Sequence, residues 1–158
     1  MEVLKVAEAL LEPKTRTLTA SSSALSPDGT RLRLAVIDDH AIIRGVFVTL
    51  VEDAPDMVMA WTASTLSDAR SKLQADTPDF LVMDVTLPDG NGFEFLKEVL
   101  DHAPDLPVLM VSAQGDQTFP DRAASGGARG FIAKEASLEQ LLEAVNTIQQ
   151  GGEWFRKE

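Results

Sequence analysis

Three short apolar runs in this chain each end in a charge: Leu34-Ala35-Val36-Ile37 runs into Asp38-Asp39, Phe80-Leu81-Val82-Met83 into Asp84, and Gly130-Phe131-Ile132-Ala133 into Lys134. Unbroken apolar runs of this length suit strands covered on both faces, the condition of central strands in a parallel sheet. Helical patterns separate the runs. The alternation predicts strands near 32–37, 57–61, 80–84, 107–111 and 129–133, and helices near 41–52, 65–75, 92–101, 119–126 and 138–150. Repeated βα units of this kind wind right-handed and place helices on both faces of one sheet. All strands then end at the same edge, so the acids and the lysine converge where open α/β folds place their sites.

The individual helices support this pattern. The last carries Leu138, Leu141, Leu142, Val145 and Ile148 on one face, opens with Ser137 and Gln140 at capping-box spacing, and runs into Gly151-Gly152. The first has Ile43, Val46, Phe47, Leu50 and Val51 on its apolar stripe, which leaves Arg44 and Thr49 toward water. Val3 to Leu11 spaces Val3, Val6, Ala7 and Leu10 as a short amphipathic helix that Pro13 ends. Thr15 to Thr30, with Ser21-Ser22-Ser23 and the turn signal Ser26-Pro27-Asp28-Gly29, reads as linker. The expected organisation is an extension and linker over 1–31, one α/β domain over 32–150, and the start of a further linker over 151–158.

Composition narrows the chemistry. With 158 residues, a net charge of -11 and a pI near 4.5, the chain lacks the clustered Lys and Arg that phosphate backbones require, so it does not read as a nucleic-acid binder by itself. The absence of cysteine excludes disulfides, thiolate nucleophiles and Cys-type zinc sites, and two histidines argue against a histidine-rich metal centre. Charges among the first eight residues and the lack of a long apolar stretch give neither a signal peptide nor a membrane span, so a soluble, cytoplasmic chain is expected.

A carboxylate doublet is usually a solvated loop, and a lone strand-end lysine usually a solvated charge. Their combination is different. Clustered carboxylates raise one another's pKa and cost stability unless a cation compensates. Asp38, Asp39 and Asp84 at adjacent strand ends therefore suggest a hard divalent ion, most naturally Mg2+, with Lys134 as a second positive pole.

Asp38-Asp39, Asp84 followed by Leu87-Pro88-Asp89-Gly90-Asn91-Gly92, Val111-Ser112-Ala113, and Gly127 through Lys134 together resemble the receiver domain of bacterial two-component response regulators. Asp84 stands 45 residues after Asp39, Ser112 28 after Asp84, and Lys134 22 after Ser112. The resemblance covers about residues 32–150. It implies a flavodoxin-like (CheY-like) sheet of order 2-1-3-4-5, an Asp84 phosphoacceptor served by a sensor histidine kinase, and Mg2+ held by Asp38, Asp39, Asp84 and the Thr86 backbone carbonyl. It further implies that Lys134 and Ser112 contact the phosphoryl group, that Ser112 and Phe131 form a switch with Phe131 turning inward, and that Thr86 and Gln114 tune phosphoryl lifetime. Any catalysis would be self-catalysed phosphoryl transfer and loss.

Gly127-Ala128-Arg129-Gly130-Phe131 and the segment after Val145 are most similar to NarL/FixJ (LuxR-like) regulators, in which a helix-turn-helix follows the receiver. Only eight residues follow Gln150, so DNA contact and transcriptional output would need a C-terminal domain that the sequence lacks. Trp154 and Phe155, left without cover, favour a fragment of a longer regulator. Phosphorylation-dependent homodimerisation would use the surface of the fourth helix, fifth strand and fifth helix. Pro120 departs from the family pattern and predicts that the fourth helix starts late, near Phe119, with the proline in its first turn. Two other readings remain: a degenerate receiver acting only as a protein-interaction module, and a Mg-dependent phosphohydrolase, which needs a second acid where this chain has Thr86.

Overall fold

Burial on two faces, rather than one, organises this chain. The structure is a computed structural model that describes residues 31–113 and 115–155. The expected N-terminal helix and linker, and Gln114, lie outside the described residues. Five strands, β1 (Leu32–Ile37), β2 (Met57–Ala63), β3 (Phe80–Asp84), β4 (Val108–Ser112) and β5 (Gly130–Ala133), form one parallel sheet of order β2-β1-β3-β4-β5. Five helices, α1 (Ala41–Glu52), α2 (Leu66–Ala75), α3 (Gly92–His102), α4 (Phe119–Ser125) and α5 (Leu138–Gln149), connect or follow them. This is the expected doubly wound, flavodoxin-like architecture. No helix among the described residues is long and apolar enough to cross a membrane.

Strand alternation sends side chains to two separate cores. Leu34, Val36, Val82, Leu109 and Ile132 pack with Ile43, Phe47 and Leu50 of α1 and Ala144, Val145 and Ile148 of α5. Ala35, Ile37, Leu81, Met83, Met110 and Phe131 pack on the other face with α2, α3 and α4. The middle strands β3 and β4 are buried at every position, which explains their unbroken apolar sequence.

Local chemistry sets the helix starts. Ser137 Oγ accepts from the Gln140 N–H and Gln140 Oε1 accepts from the Ser137 N–H, each at 3.1 Å, completing the expected capping box. α4 begins at Phe119 with Pro120 in its first turn, where no intrahelical N–H bond is lost. β2 continues to Ala63, past its expected end; the register shifts between Leu34 and Ala35, after which Trp61, Thr62 and Ala63 pair with Ala35, Val36 and Ile37. β4 starts after Pro107, which has no N–H for the ladder; its carbonyl accepts from the Leu81 N–H at 3.0 Å.

Residues 151–155, expected to begin a linker, instead return to the sheet. Gly151 reverses the chain at φ 96°, and Trp154 then forms a parallel bridge with Gly130. The Trp154 N–H donates to Arg129 O at 3.0 Å and its carbonyl accepts from the Phe131 N–H at 2.8 Å. The Trp154 side chain is buried at 6% exposure in the α1/α5 core, so its bulk no longer argues for a further domain to cover it.

One close approach holds the site's edge. A Cβ on Gly92, the first residue of α3, would lie 2.2 Å from the Asp84 carbonyl oxygen. Gly92→Ala should therefore destabilise the chain by about 1–3 kcal/mol through the forced backbone shift. Trp154→Ala should cost about 3–5 kcal/mol by emptying the core beside β5. Denaturant unfolding of both variants against wild type measures these losses.

Candidate functional site

The ends of β1, β3, β4 and β5 bring Asp38, Asp84, Ser112 and Lys134 to one edge, and none of the first three is more than 3% exposed. Asp38 follows β1, where its N–H donates to Ala63 O at 3.0 Å, continuing the ladder by one residue. Asp84 is the last residue of β3 and pairs with Val111. Lys134 follows β5, and its N–H donates to Ser112 O at 2.9 Å.

Lys134 is not the solvated charge that a lone strand-end lysine would be. Its side chain is 6% exposed, and Nζ lies 2.9 Å from Asp38 Oδ2 and 3.0 Å from Asp84 Oδ2. The contact with Asp84 is a hydrogen bond. The contact with Asp38 is an ion pair off the hydrogen-bonding direction, so the buried Oδ2 accepts no hydrogen bond from any described residue. One ammonium thus pairs with two buried carboxylates, while Asp39 stands nearby against His40. Burial, then the neighbouring Asp38 charge, hold the Asp84 carboxyl above its ordinary pKa, outweighing Lys134 and the Thr86 N–H.

The rim comes from loops and helix ends. Asp39 is partly exposed. Thr86 pairs with Asn91 in a short antiparallel ribbon, Thr86–Leu87 with Gly90–Asn91, and its N–H donates weakly to Asp84 Oδ1 at 3.3 Å. Asp89, at the tip of that ribbon, accepts from the N–H groups of Leu66 and Ser67 at 2.8 and 3.0 Å and so ties the ribbon to the start of α2. Gln114 cannot be placed, since it lies outside the described residues.

Two site residues were not legible in the sequence. Arg44, expected toward water, is half-buried and donates from Nη1 to the Asp38 carbonyl at 2.8 Å, fixing the turn after β1. His40 sits at the N-terminus of α1 with Nδ1 2.9 Å from Asp38 Oδ1, 3.3 Å from Asp39 Oδ1 and 3.1 Å from Lys134 Nζ. Its adjacency to the acidic doublet was the one signal available.

Phe131, expected to turn inward on activation, already lies inward at 6% exposure. Its ring meets Phe119 edge-on at 6.2 Å, and Phe119 meets Phe93 in the same way at 5.3 Å. The Arg122 guanidinium covers Phe93 at 4.5 Å, so an aromatic ladder runs from β5 through the start of α4 to the start of α3.

Comparison with known proteins follows the same lines. Residues 34–146 match the response regulator receiver domain family. The oxygen regulatory protein NreC of Staphylococcus carnosus is 31% identical over 121 residues, 76% of this chain and 56% of that protein. The DNA-binding transcriptional activator DevR/DosR of Mycobacterium tuberculosis is 31% identical over 121 residues, 76% of this chain and 55% of that protein. The chain therefore spans just over half the length of these curated relatives. Among solved structures, a LuxR-family two-component response regulator from Aurantimonas sp. SI85-9A1 superposes with a TM-score of 0.74 at 26% identity, covering 79% of this chain and 89% of that one. The response regulator domain of Thermotoga maritima CheB does so with a TM-score of 0.68 at 31% identity, covering 75% and 96%. Strand order, acidic pocket and these matches agree: the chain belongs to the response regulator receiver domain family, and is of its NarL/LuxR kind.

Proposed function

We propose that this chain is the phosphoacceptor module of a two-component system, with Asp84 taking a phosphoryl group from a phosphohistidine on a sensor histidine kinase. The observation that carries this reading is the buried Asp84 carboxylate held 3.0 Å from Lys134 in a pocket with an excess of negative charge. An Asp84 oxygen attacks phosphorus, the P–N bond to the histidine breaks, and the acyl phosphate forms. Lys134 then pairs with a phosphoryl oxygen, and the Ser112 hydroxyl donates to another.

The donor set fits Mg2+. Asp38, Asp39, His40 and Asp84 each offer a ligand atom, all within 4.8 Å of one another, and Asp38 Oδ2 has no directed hydrogen bond. Asp38, Asp39, Asp84 and the Thr86 carbonyl would hold the ion, which when bound supplies positive charge to offset the incoming phosphate. Thr86 and Gln114 tune water access and hence phosphoryl lifetime.

Phosphorylation adds roughly -1.5 to -2 charge by analogy with other phosphorylated side chains. Ser112 moves toward it, and Phe131, already inward, is consolidated against Phe119 of α4. This biases the α4–β5–α5 surface, which then dimerises or releases a tethered helix-turn-helix domain that reads DNA. The whole regulator works in the cytoplasm, where its kinase partner delivers the phosphoryl group.

Acetyl phosphate with Mg2+ should add one phosphoryl group to wild type and none to Asp84→Asn, read by intact mass. A folded wild type that stays unmodified would favour an interaction module without phosphoacceptor chemistry. Without divalent ions, the raised Asp84 pKa also predicts a stability profile. The folded state binds the Asp84 proton more tightly than the unfolded chain, so this stability is fully present below the ordinary value of 3.8 and is lost as pH rises through the raised folded value. Asp84→Asn should consequently be more stable than wild type at neutral pH. Urea unfolding of both proteins across that window checks the sign.

A further inference from the structure

The ribbon of Thr86–Leu87 and Gly90–Asn91 carries the Thr86 carbonyl, proposed above to hold Mg2+, and is fixed at two points. At its base the Gly92 N–H donates to Val85 O at 2.6 Å, one residue before Thr86. At its tip Asp89 reaches α2, with Oδ1 accepting from the Leu66 N–H at 2.8 Å and Oδ2 from the Ser67 N–H at 3.0 Å. Thr86 lies between these two fixed points.

The start of α2 is arranged to receive Asp89. Its own N-cap, Thr65, accepts from the Asp68 N–H at 3.1 Å, which leaves the Leu66 and Ser67 N–H groups to Asp89. Thr65 and Asp89 together thus satisfy N–H groups that a helix start leaves open. The two bonds from Leu66 and Ser67 hold the Asp89 carboxyl below its ordinary pKa, so it stays ionised as a charge-assisted acceptor. The ribbon also rests on the helix, since a Cβ on Gly90 would lie 2.7 Å from Leu66 Cδ1. The same corner holds the opposite wall of the pocket, where Ala63 O accepts from the Asp38 N–H at 3.0 Å. Asp38 and Thr86, which follow different strands, are therefore both anchored to residues 63–67.

Such anchoring bears on which cation the pocket favours. Mg2+ demands near-ideal octahedral geometry, whereas Ca2+ accepts irregular arrangements, so a fixed carbonyl discriminates between them. A ribbon free at its tip would pivot about the Gly92–Val85 bond and carry the Thr86 carbonyl with it. We propose that Asp89 is a positioning residue that sets a Mg2+-over-Ca2+ preference by clamping the Thr86 ribbon to the start of α2. This rests on the reading of Asp38, Asp39, Asp84 and Thr86 as cation ligands.

The test is calorimetric titration of the untagged chain with Mg2+ and with Ca2+, for wild type, Asp89→Ala and Asp89→Asn. Loss of the Asp89 charge alone would weaken both ions alike, and equally in the two variants. Asp89→Asn loses that charge but keeps an amide oxygen that accepts from one N–H. Asp89 is exposed, so neither substitution opens the core. Asp89→Ala should weaken Mg2+ binding by about tenfold and Ca2+ binding by less than about threefold, with Asp89→Asn restoring most of the Mg2+ affinity. Equal losses for the two ions, equal losses in the two variants, or no loss in either overturn this inference and leave the Asp84 reading in place. Wild type that binds neither ion overturns the cation site and this inference with it.

Discussion

A single buried ammonium set between two buried carboxylates is the constraint around which the rest of this molecule is arranged. Lys134 bridges Asp38 and Asp84 within 3.0 Å of each. Taking such groups out of water is costly, and removing the ammonium would leave two buried carboxylates uncompensated. The backbone therefore has to hold the three strand ends in fixed relation. The ladder from β1 through β3 and β4 to β5 does this, and the Lys134 N–H bond to Ser112 O carries it one residue beyond the last strand.

The supporting elements converge on the same edge. α3 starts against the end of β3 because Gly92 has no Cβ to collide with the Asp84 carbonyl. α1 reaches back through Arg44 to the Asp38 carbonyl, and His40 brings a third nitrogen into the pocket. On the far side of the sheet from α1, the Phe131, Phe119 and Phe93 rings connect the strand that carries Lys134 to the starts of α4 and α3. A change in charge at the site is thereby mechanically close to the surface that would report it.

The edge of the sheet is handled separately. β5 is the last strand in the order, and an open edge invites pairing with another chain. Trp154 covers part of it, exchanging backbone bonds with Arg129 and Phe131 while its ring fills the core beneath. Gly130 makes room, since a Cβ there would lie 3.0 Å from the Trp154 carbonyl oxygen.

Much of this was legible in the residues because periodicity is a local property. Unbroken apolar runs marked β1 and β3 as strands covered on both faces, the 3.6-residue stripe marked α1 and α5, and Pro120 marked the start of α4, each through sterics or burial acting within a few residues. The acids and Lys134 could be assigned to one edge because parallel strands end together. What the sequence alone could not determine were pairings between residues distant in the chain or dependent on a side chain's direction. Arg44 looked solvent-facing by helical phase, yet its long side chain reaches the Asp38 carbonyl. His40 looked like a neighbour of the doublet, and only the fold brings Lys134, 94 positions away, to its Nδ1. Trp154 looked uncovered because its cover is strand β5 and the α1/α5 core, which exist only once the sheet has formed. Tertiary structure decided these because side-chain reach and long-range apposition are set by packing, and packing leaves no mark on local spacing.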